Sequence, residues 1–390
     1  MKTLLQEGEE PLGRYAFEAT AQCVAICTVG ELFGGVERHV LGMLSSLRTR
    51  GIRTLLILFH DGELAVQARA QGIEPIMLPN RNSALMTTSR RLAQTFKEGR
   101  VAVVHVHGYK ATVFCALAQR WHRFAMVKTE HGLPEPMASG LIPTWRNRLY
   151  SSLDIVATRI SGATVCYVTE DLRASYRKAH AGLPTRIIPN GVESMDRSQF
   201  SRPVEMRDEW FNLLIVGRLD TVKGHHIAIE AIAADNLSRE THLHLVGLGP
   251  REQELRKLAQ SIGVARRVHI LGFRRNVYDY IAHCDALLMP SLHEGLPYTL
   301  LEAMALGTPI VASRVGGLAE VLQDNDTALL TPPRDAASIA LAIARLHNDR
   351  GLCSRLGEGS RRLQQRKYSL EAMTQSYLAI YRTLRTKDRG

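Results

Sequence analysis

The 390-residue sequence predicts an α/β protein of two doubly wound, Rossmann-like domains facing a central cleft. Three observations carry that expectation. The chain is longer than the about 100–200 residues of one ordinary domain. Short apolar runs of strand length alternate with helical patterns almost throughout, the rhythm of βαβ units and parallel sheets. A polar stretch at 193–210, containing Pro203, interrupts that rhythm once, after which it restarts. The expected division is an N-terminal domain at 1–195, a linker at 196–210 and a second domain at 211–368. A C-terminal helix at 369–390 is expected to pack back on the first domain.

In the first half, strands are expected at 23–29, 54–59, 101–106, 126–129 and 163–168, with helices between them. Val36, Val40, Met43, Leu44 and Leu47 give one such helix its apolar face. His105 and His107 close a β-branched run, where open parallel sheets place ligands. In the second half the strands fall at 211–216, 242–246, 268–271, 286–289 and 310–312. The last segment is amphipathic through Met373, Tyr377, Ile380, Tyr381 and Leu384. Chemistry is therefore sought on the loops that follow strands.

Composition narrows the function classes. Hydrophobic residues make up 45% and charged residues 22%, and no apolar run approaches the ~18 residues of a membrane span. Glu7, Glu9 and Glu10 stand where a signal peptide needs an apolar segment, so an intracellular chain is expected. The six cysteines contain no C-x-x-C pair and read as buried, reduced thiols. The net charge of +11 has a location: residues 81–128 hold nine Lys or Arg against one acid, beside Trp121 and Phe124.

The most informative segment is 291–309, SLHEGLPYTLLEAMALGTP, punctuated as a loop, a short helix and a stop. Pro297 suits the first helical turn, Gly307 the C-terminal cap, and Pro309 follows. Glu294 precedes the helix and Glu302 lies within it, with seven residues between them. The free amides at the start of such a helix attract an anion.

Glu294 and Glu302 within HEGLPYTLLEAMALGTPIVAS resemble the E-x7-E motif of the large retaining GT-B glycosyltransferase family, group 1. Gly217-Arg218 with Lys223-Gly224, Gly247-Leu248-Gly249, Leu271-Gly272-Phe273 and Gly316-Gly317 through Glu320 are similar to that family's segments, in its order. In the first half Gly34-Gly35, His131-Gly132 and Pro189-Asn190-Gly191-Val192 also match. The resemblance implies a GT-B architecture and transfer of a sugar from a nucleoside-diphosphate sugar, with retention at the anomeric carbon. It leaves the base (UDP, GDP or ADP), the sugar and the acceptor open.

Breaking a nucleotide-sugar bond places negative charge on the departing diphosphate, and Arg218 and Lys223 after the first strand of the second domain suit it. The resemblance implies that Glu302 holds the donor ribose, that Glu294 contacts the transferred sugar, and that His131 hydrogen-bonds beside it. It likewise implies donor contacts for Gly34, Gly35, Gly217, Gly247, Gly249, Phe273, Gly295, Leu296 and Pro297. No cofactor and no metal are expected. Asp324-Asn325-Asp326 fits an Asp-x-Asp pattern but falls where a turn is required. A dehydrogenase is disfavoured because Gly247-Leu248-Gly249 lacks the third glycine of G-x-G-x-x-G. A sugar-nucleotide epimerase and a non-catalytic scaffold remain as alternatives. The expected partners are the donor and a saccharide or lipid-linked acceptor in cell-envelope or exopolysaccharide assembly, and no nucleic acid. The basic run 81–128 is expected to meet an anionic membrane surface, which places a cytoplasmic protein on the inner face of the membrane.

Overall fold

The computed structural model describes residues 23–30, 34–78, 85–133 and 145–387. Residues 1–15, read above for a leader, and Arg81 of the basic run lie outside the described residues.

Strands β1 (Cys23–Thr28), β2 (Arg53–Leu58), β3 (Ile76–Met77), β4 (Val101–His107), β5 (Ala125–Glu130), β6 (Thr164–Tyr167) and β7 (Thr185–Ile187) form one sheet, ordered β3-β2-β1-β4-β5-β6-β7. Between them run helices α1 (Gly35–Thr49), α2 (Glu63–Ala70), α3 (Leu85–Glu98), α4 (Tyr109–Ala118), α5 (Trp145–Ile160) and α6 (Glu170–Tyr176). A second sheet follows, ordered β10-β9-β8-β11-β12-β13. Its strands are β8 (Phe211–Val216), β9 (Thr241–Val246), β10 (Val268–Gly272), β11 (Ala286–Met289), β12 (Ile310–Ser313) and β13 (Leu329–Thr331). Its helices are α7 (His225–Ile232), α8 (Glu252–Ser261), α9 (Val277–His283), α10 (Tyr298–Leu306) and α11 (Gly316–Val321), followed by α12 (Ala336–Asn348), α13 (Arg350–Lys367) and α14 (Leu370–Lys387). The ladders pair in parallel, β8 with β9 and with β11 among them. Both orders reverse between the first and fourth strand of their set, and such a reversal opens a crevice at the carboxyl ends of the two strands.

The β-branched runs are strands because helices cover both faces. On β8, Leu214 points into one buried cluster while Leu213 and Ile215 point into the other. Leu287 and Leu288 divide the same way on β11. Burying each such side chain is worth about 1.5–3 kcal/mol. Three strands escape the sequence pattern: β3, β7 and β13 are two or three residues long, too short for a periodicity to register.

By compactness the chain divides into one unit of Met1–Lys128, Val156–Ala163 and Tyr381–Gly390, and a second of Thr129–Ile155 and Thr164–Ile380. Within the second, α14 is anchored where Leu370 N donates to Val192 O at 2.9 Å, and Tyr377 shares a 2.9 Å hydrogen bond with Thr129. Within the first, Tyr381 Oη lies 2.7 Å from His105 Nδ1. His105 is thus buried and tied to the end of the C-terminal helix.

Two members of the basic run are corrected. Phe124 is buried, its ring 5.2 Å from that of Phe96. Lys128 is also buried and donates to Thr158 Oγ1 at 3.2 Å. Neither reaches a surface, whereas Arg90, Arg91, Lys97, Arg100, Arg120 and Arg123 do. The Asp324–Asp326 segment is a turn with Asn325 at φ +61°, and Asp324 Oδ1 accepts Leu330 N at 2.9 Å. No described helix is long and apolar enough to cross a membrane.

Candidate active site

In the second unit the sheet order reverses between β8 and β11, and the candidate residues collect on the loops leaving those two strands. Gly224 closes the β8 loop at φ +67°, and a Cβ there would fall 2.0 Å from Pro290 O at the exit of β11. The two loops can approach this closely only with glycine. Their side chains consequently meet: Lys223 Nζ lies 2.7 Å from Glu294 Oε1, and Ser291 Oγ donates to the same oxygen at 2.7 Å. Asp220 organises the rest of the loop. Its Oδ1 accepts Lys223 N at 3.1 Å, and its Oδ2 pairs with Arg218 Nη2 at 3.1 Å. The Lys223 stem crosses Gly217, where a Cβ would sit 3.4 Å from Cδ and Cε.

The backbone of 294–297 is held from several sides. Gly317 N donates to Glu294 O at 2.9 Å, and a Cβ on Gly317 would fall 1.8 Å from Gly295 O. A Cβ on Gly295 would lie 2.6 Å from His131 O, so His131 is a direct neighbour of this loop. Asn190 Nδ2 donates to Leu296 O at 2.8 Å, and Leu296 itself enters the core. Pro297 is the N-cap of α10, which ends at Gly307 with φ +66°. Glu302 is buried inside that helix, and Tyr278 Oη donates to its Oε1 at 3.2 Å.

Gly247 and Gly249 have a packing reason as well. A Cβ on Gly247 would sit 1.9 Å from Gly217 O, and one on Gly249 2.4 Å from Leu219 O. The β9 loop is therefore stacked on the β8 loop, whether or not a ligand approaches. Beside it Leu248 and Phe273 stay exposed, leaving an apolar pair at the carboxyl ends of β9 and β10.

In the first unit Gly34 and Gly35 stand at the start of α1. Gly34 N donates to Glu37 Oε2 at 2.9 Å, so the N3 glutamate reaches back to cap the first amide of the helix. Burial raises the Glu37 carboxyl above its ordinary range. Sequence reasoning missed three neighbours of these side chains: Asp220, Ser291 and Tyr278. Only Ser291 carried a usable signal, its i,i+3 spacing to Glu294.

Residues 33–194 match the family described as Glycosyltransferase Family 4, and residues 196–363 the family described as Glycosyl transferases group 1. The lipopolysaccharide core biosynthesis glycosyltransferase LpsE of Rhizobium meliloti (strain 1021) is 31% identical over 255 residues, 63% of this chain and 73% of LpsE. The chain is a group 1 glycosyltransferase. The N-acetyl-alpha-D-glucosaminyl L-malate synthase of Bacillus anthracis is 25% identical to it over 312 residues, 78% of this chain and 81% of that enzyme. Among solved structures, Anabaena Alr3699/HepE in complex with UDP shares the fold at a TM-score of 0.78 and 20% identity, covering 93% of this chain and 100% of HepE. WaaG, a glycosyltransferase involved in lipopolysaccharide biosynthesis, does so at 0.70 and 20%, covering 90% and 98%. In this GT-B glycosyltransferase Arg218, Lys223, Glu294 and Glu302 therefore stand on one compact unit, on loops and a helix of the second Rossmann-like sheet.

Proposed function

We propose that the enzyme transfers a sugar from a nucleoside-diphosphate sugar to a hydroxyl of a saccharide or lipid-linked acceptor in cell-envelope or exopolysaccharide assembly. The observation that carries this reading is the Lys223–Glu294 contact of 2.7 Å at the strand-order reversal. An ammonium fixed by one carboxylate keeps further N–H groups for a diphosphate. Arg218 adds a second cation, and the amides opening α10 add a helix terminus to the anion's surroundings. Glu302 is proposed to hold the ribose, and Leu248 with Phe273 to flank the base. Glu294 and His131, neighbours through Gly295, are proposed to face the transferred sugar. HepE, of like fold, has been solved with UDP-glucose, which supports a nucleotide-sugar donor.

The proposed transfer retains configuration. The bond between the anomeric carbon and the diphosphate oxygen breaks, the acceptor oxygen bonds to the same face, and its proton passes to the leaving phosphate. With two cations and a helix terminus on the diphosphate, this reading needs no metal and no cofactor. The enzyme is placed on the inner face of the cytoplasmic membrane, with the exposed arginines of the basic run toward anionic headgroups.

Thermal-shift screening against UDP-, GDP- and ADP-sugars, followed by hydrolysis assays of the best binder with and without EDTA, tests these statements. Stabilisation by one nucleotide class and chelator-resistant turnover are expected. No stabilisation by any nucleotide would end the donor reading.

A further inference from the structure

Strands β8, β9 and β10 lie side by side, and the segment leading into each delivers one arginine to their amino-terminal ends: Arg207 before β8, Arg239 before β9 and Arg267 before β10. These ends are opposite to the donor loops. From His242 on β9 to Gly247 at its exit is about 16 Å at the rise of a strand. His242, His244 and His269 share one face there, because His269 pairs with His244 in the ladder and side chains alternate along a strand. Trp210 stacks on His242 at 3.7 Å and on His269 at 5.3 Å, and the Arg207 guanidinium lies 4.7 Å from the Trp210 ring. His242 Nδ1 is 2.9 Å from His269 Nε2. Asn212 Nδ2 donates to Arg207 O and Trp210 O at 2.9 and 3.0 Å, fastening that segment to β8.

The cluster is electropositive. Arg267 Nη1 is buried and has no acceptor among the described residues. Burial, then the Arg239 charge, lowers the Arg267 guanidinium from its ordinary range. Burial, then His269, Arg267 and Arg207, brings the His242 imidazole down to about 4, and burial, then Arg207, lowers His269. The opposing carboxylate is Glu209, 3.8 Å from Arg207; the two side chains are 62% and 61% exposed, so their pairing is worth little. We infer that the amino-terminal ends of β8, β9 and β10 form a second anion site, in which Arg207, Arg239 and Arg267 with His242 and His269 hold a phosphate monoester or another divalent oxyanion. Such an anion supplies the charge that Glu209 does not, and arginine forks present paired N–H donors to it. Its charge also favours imidazolium, so the His242–His269 pair takes up a proton, and with it an N–H donor, as the anion binds. Every member belongs to the second unit, and none is shared with the donor loops.

Calorimetric titration of the full chain with inorganic phosphate, and with sulfate at pH 6 and pH 8, tests it. Sulfate keeps its charge over that range, so a pH effect belongs to the protein. The wild type is expected to bind both anions, and sulfate about threefold or more tightly at pH 6 than at pH 8. Arg239→Gln with Arg267→Gln should weaken phosphate binding by about tenfold or more, with the parental melting temperature and nucleotide stabilisation kept. His242→Gln should flatten the pH dependence, and Lys223→Ala should bind phosphate as the wild type does. Vesicles of phosphatidylcholine with phosphatidic acid separate the sources. Capture that the double arginine variant abolishes makes the phosphate a lipid headgroup, whereas binding of free phosphate without capture makes it a soluble molecule; either upholds the site. Wild-type phosphate affinity in the double variant would overturn the inference. So would loss of phosphate binding in Lys223→Ala alone, which would put the anion on the donor loops. Absence of free-anion binding, with vesicle capture absent or indifferent to the arginines, would also overturn it and would leave the donor reading untouched.

Discussion

Glu294 Oε1 receives the Lys223 ammonium and the Ser291 hydroxyl, each at 2.7 Å, so one carboxylate oxygen fixes two donors from two loops. The three groups should not be equivalent in the reaction. If Lys223 stabilises the leaving diphosphate, Lys223→Ala should lower kcat by about 10²–10³ while the donor KM changes little. Lys223→Arg should rescue poorly, because the stem runs over Gly217 and a planar guanidinium does not replace a point charge there. Ser291 acts only through Glu294. Removing one hydrogen bond to a charged group is worth about 1.5 kcal/mol, so Ser291→Ala should cost roughly tenfold in kcat and leave the melting temperature within a few degrees. Steady-state kinetics with the donor identified by thermal shift would check both variants, and wild-type kinetics in both would refute the roles.

Among elements, the junction at α11 shows how loops are locked. Glu320 accepts from Glu170 N at 3.0 and 2.9 Å and from Asp171 N at 3.2 Å, capping α6 from a distant part of the chain. Glu320→Ala should cost about 0.5–2 kcal/mol, as loss of a cap does. Gly317→Ala should cost more, because its Cβ would meet Gly295 O at 1.8 Å and the Glu294 loop would have to move. Denaturant melts would rank the two, and the glycine variant alone should also lose turnover. Much of this level was legible in the sequence: strands of four or more residues registered, and so did the loop, helix and glycine stop of 291–309. Asp220 and Tyr278 were not legible, since a polar residue in a turn and an aromatic on a short helix look the same whether or not they support a site. Phe124 was misplaced because nothing local tells an interfacial aromatic from one that packs on Phe96 twenty-eight positions earlier. Helix α5 inverts the periodicity rule, turning Ala157 and Thr158 inward and leucines outward, so its pattern alone could not assign its faces.

Across the whole molecule, acid should act through histidines that the fold keeps neutral. On the second sheet Trp210, His242, His269 and His244 form a ladder, with Trp210 stacked on His242 at 3.7 Å, His269 at 5.2 Å from His242 and His244 at 4.8 Å from His269. Burial, then the neighbouring imidazoles, bring His242 down to about 4 and His244 to about 3, and burial, against the opposing pull of Asp220, brings His225 to about 4. In each case the folded value lies below the unfolded 6.5, so the unfolded chain binds protons first. Stability is therefore complete above about pH 6.5 and is lost progressively as pH falls toward about 3. Carboxylates titrate mainly below about pH 5, so the upper part of the window reports the histidines. His242→Phe keeps a ring on Trp210 but removes one proton site and the 2.9 Å contact with His269. At pH 8 it should be within about 1.5 kcal/mol of the parent, the worth of one hydrogen bond. Between pH 6.5 and 5 its unfolding free energy should fall less steeply, and an unchanged slope in urea melts would show that the ladder is not where the chain takes up those protons.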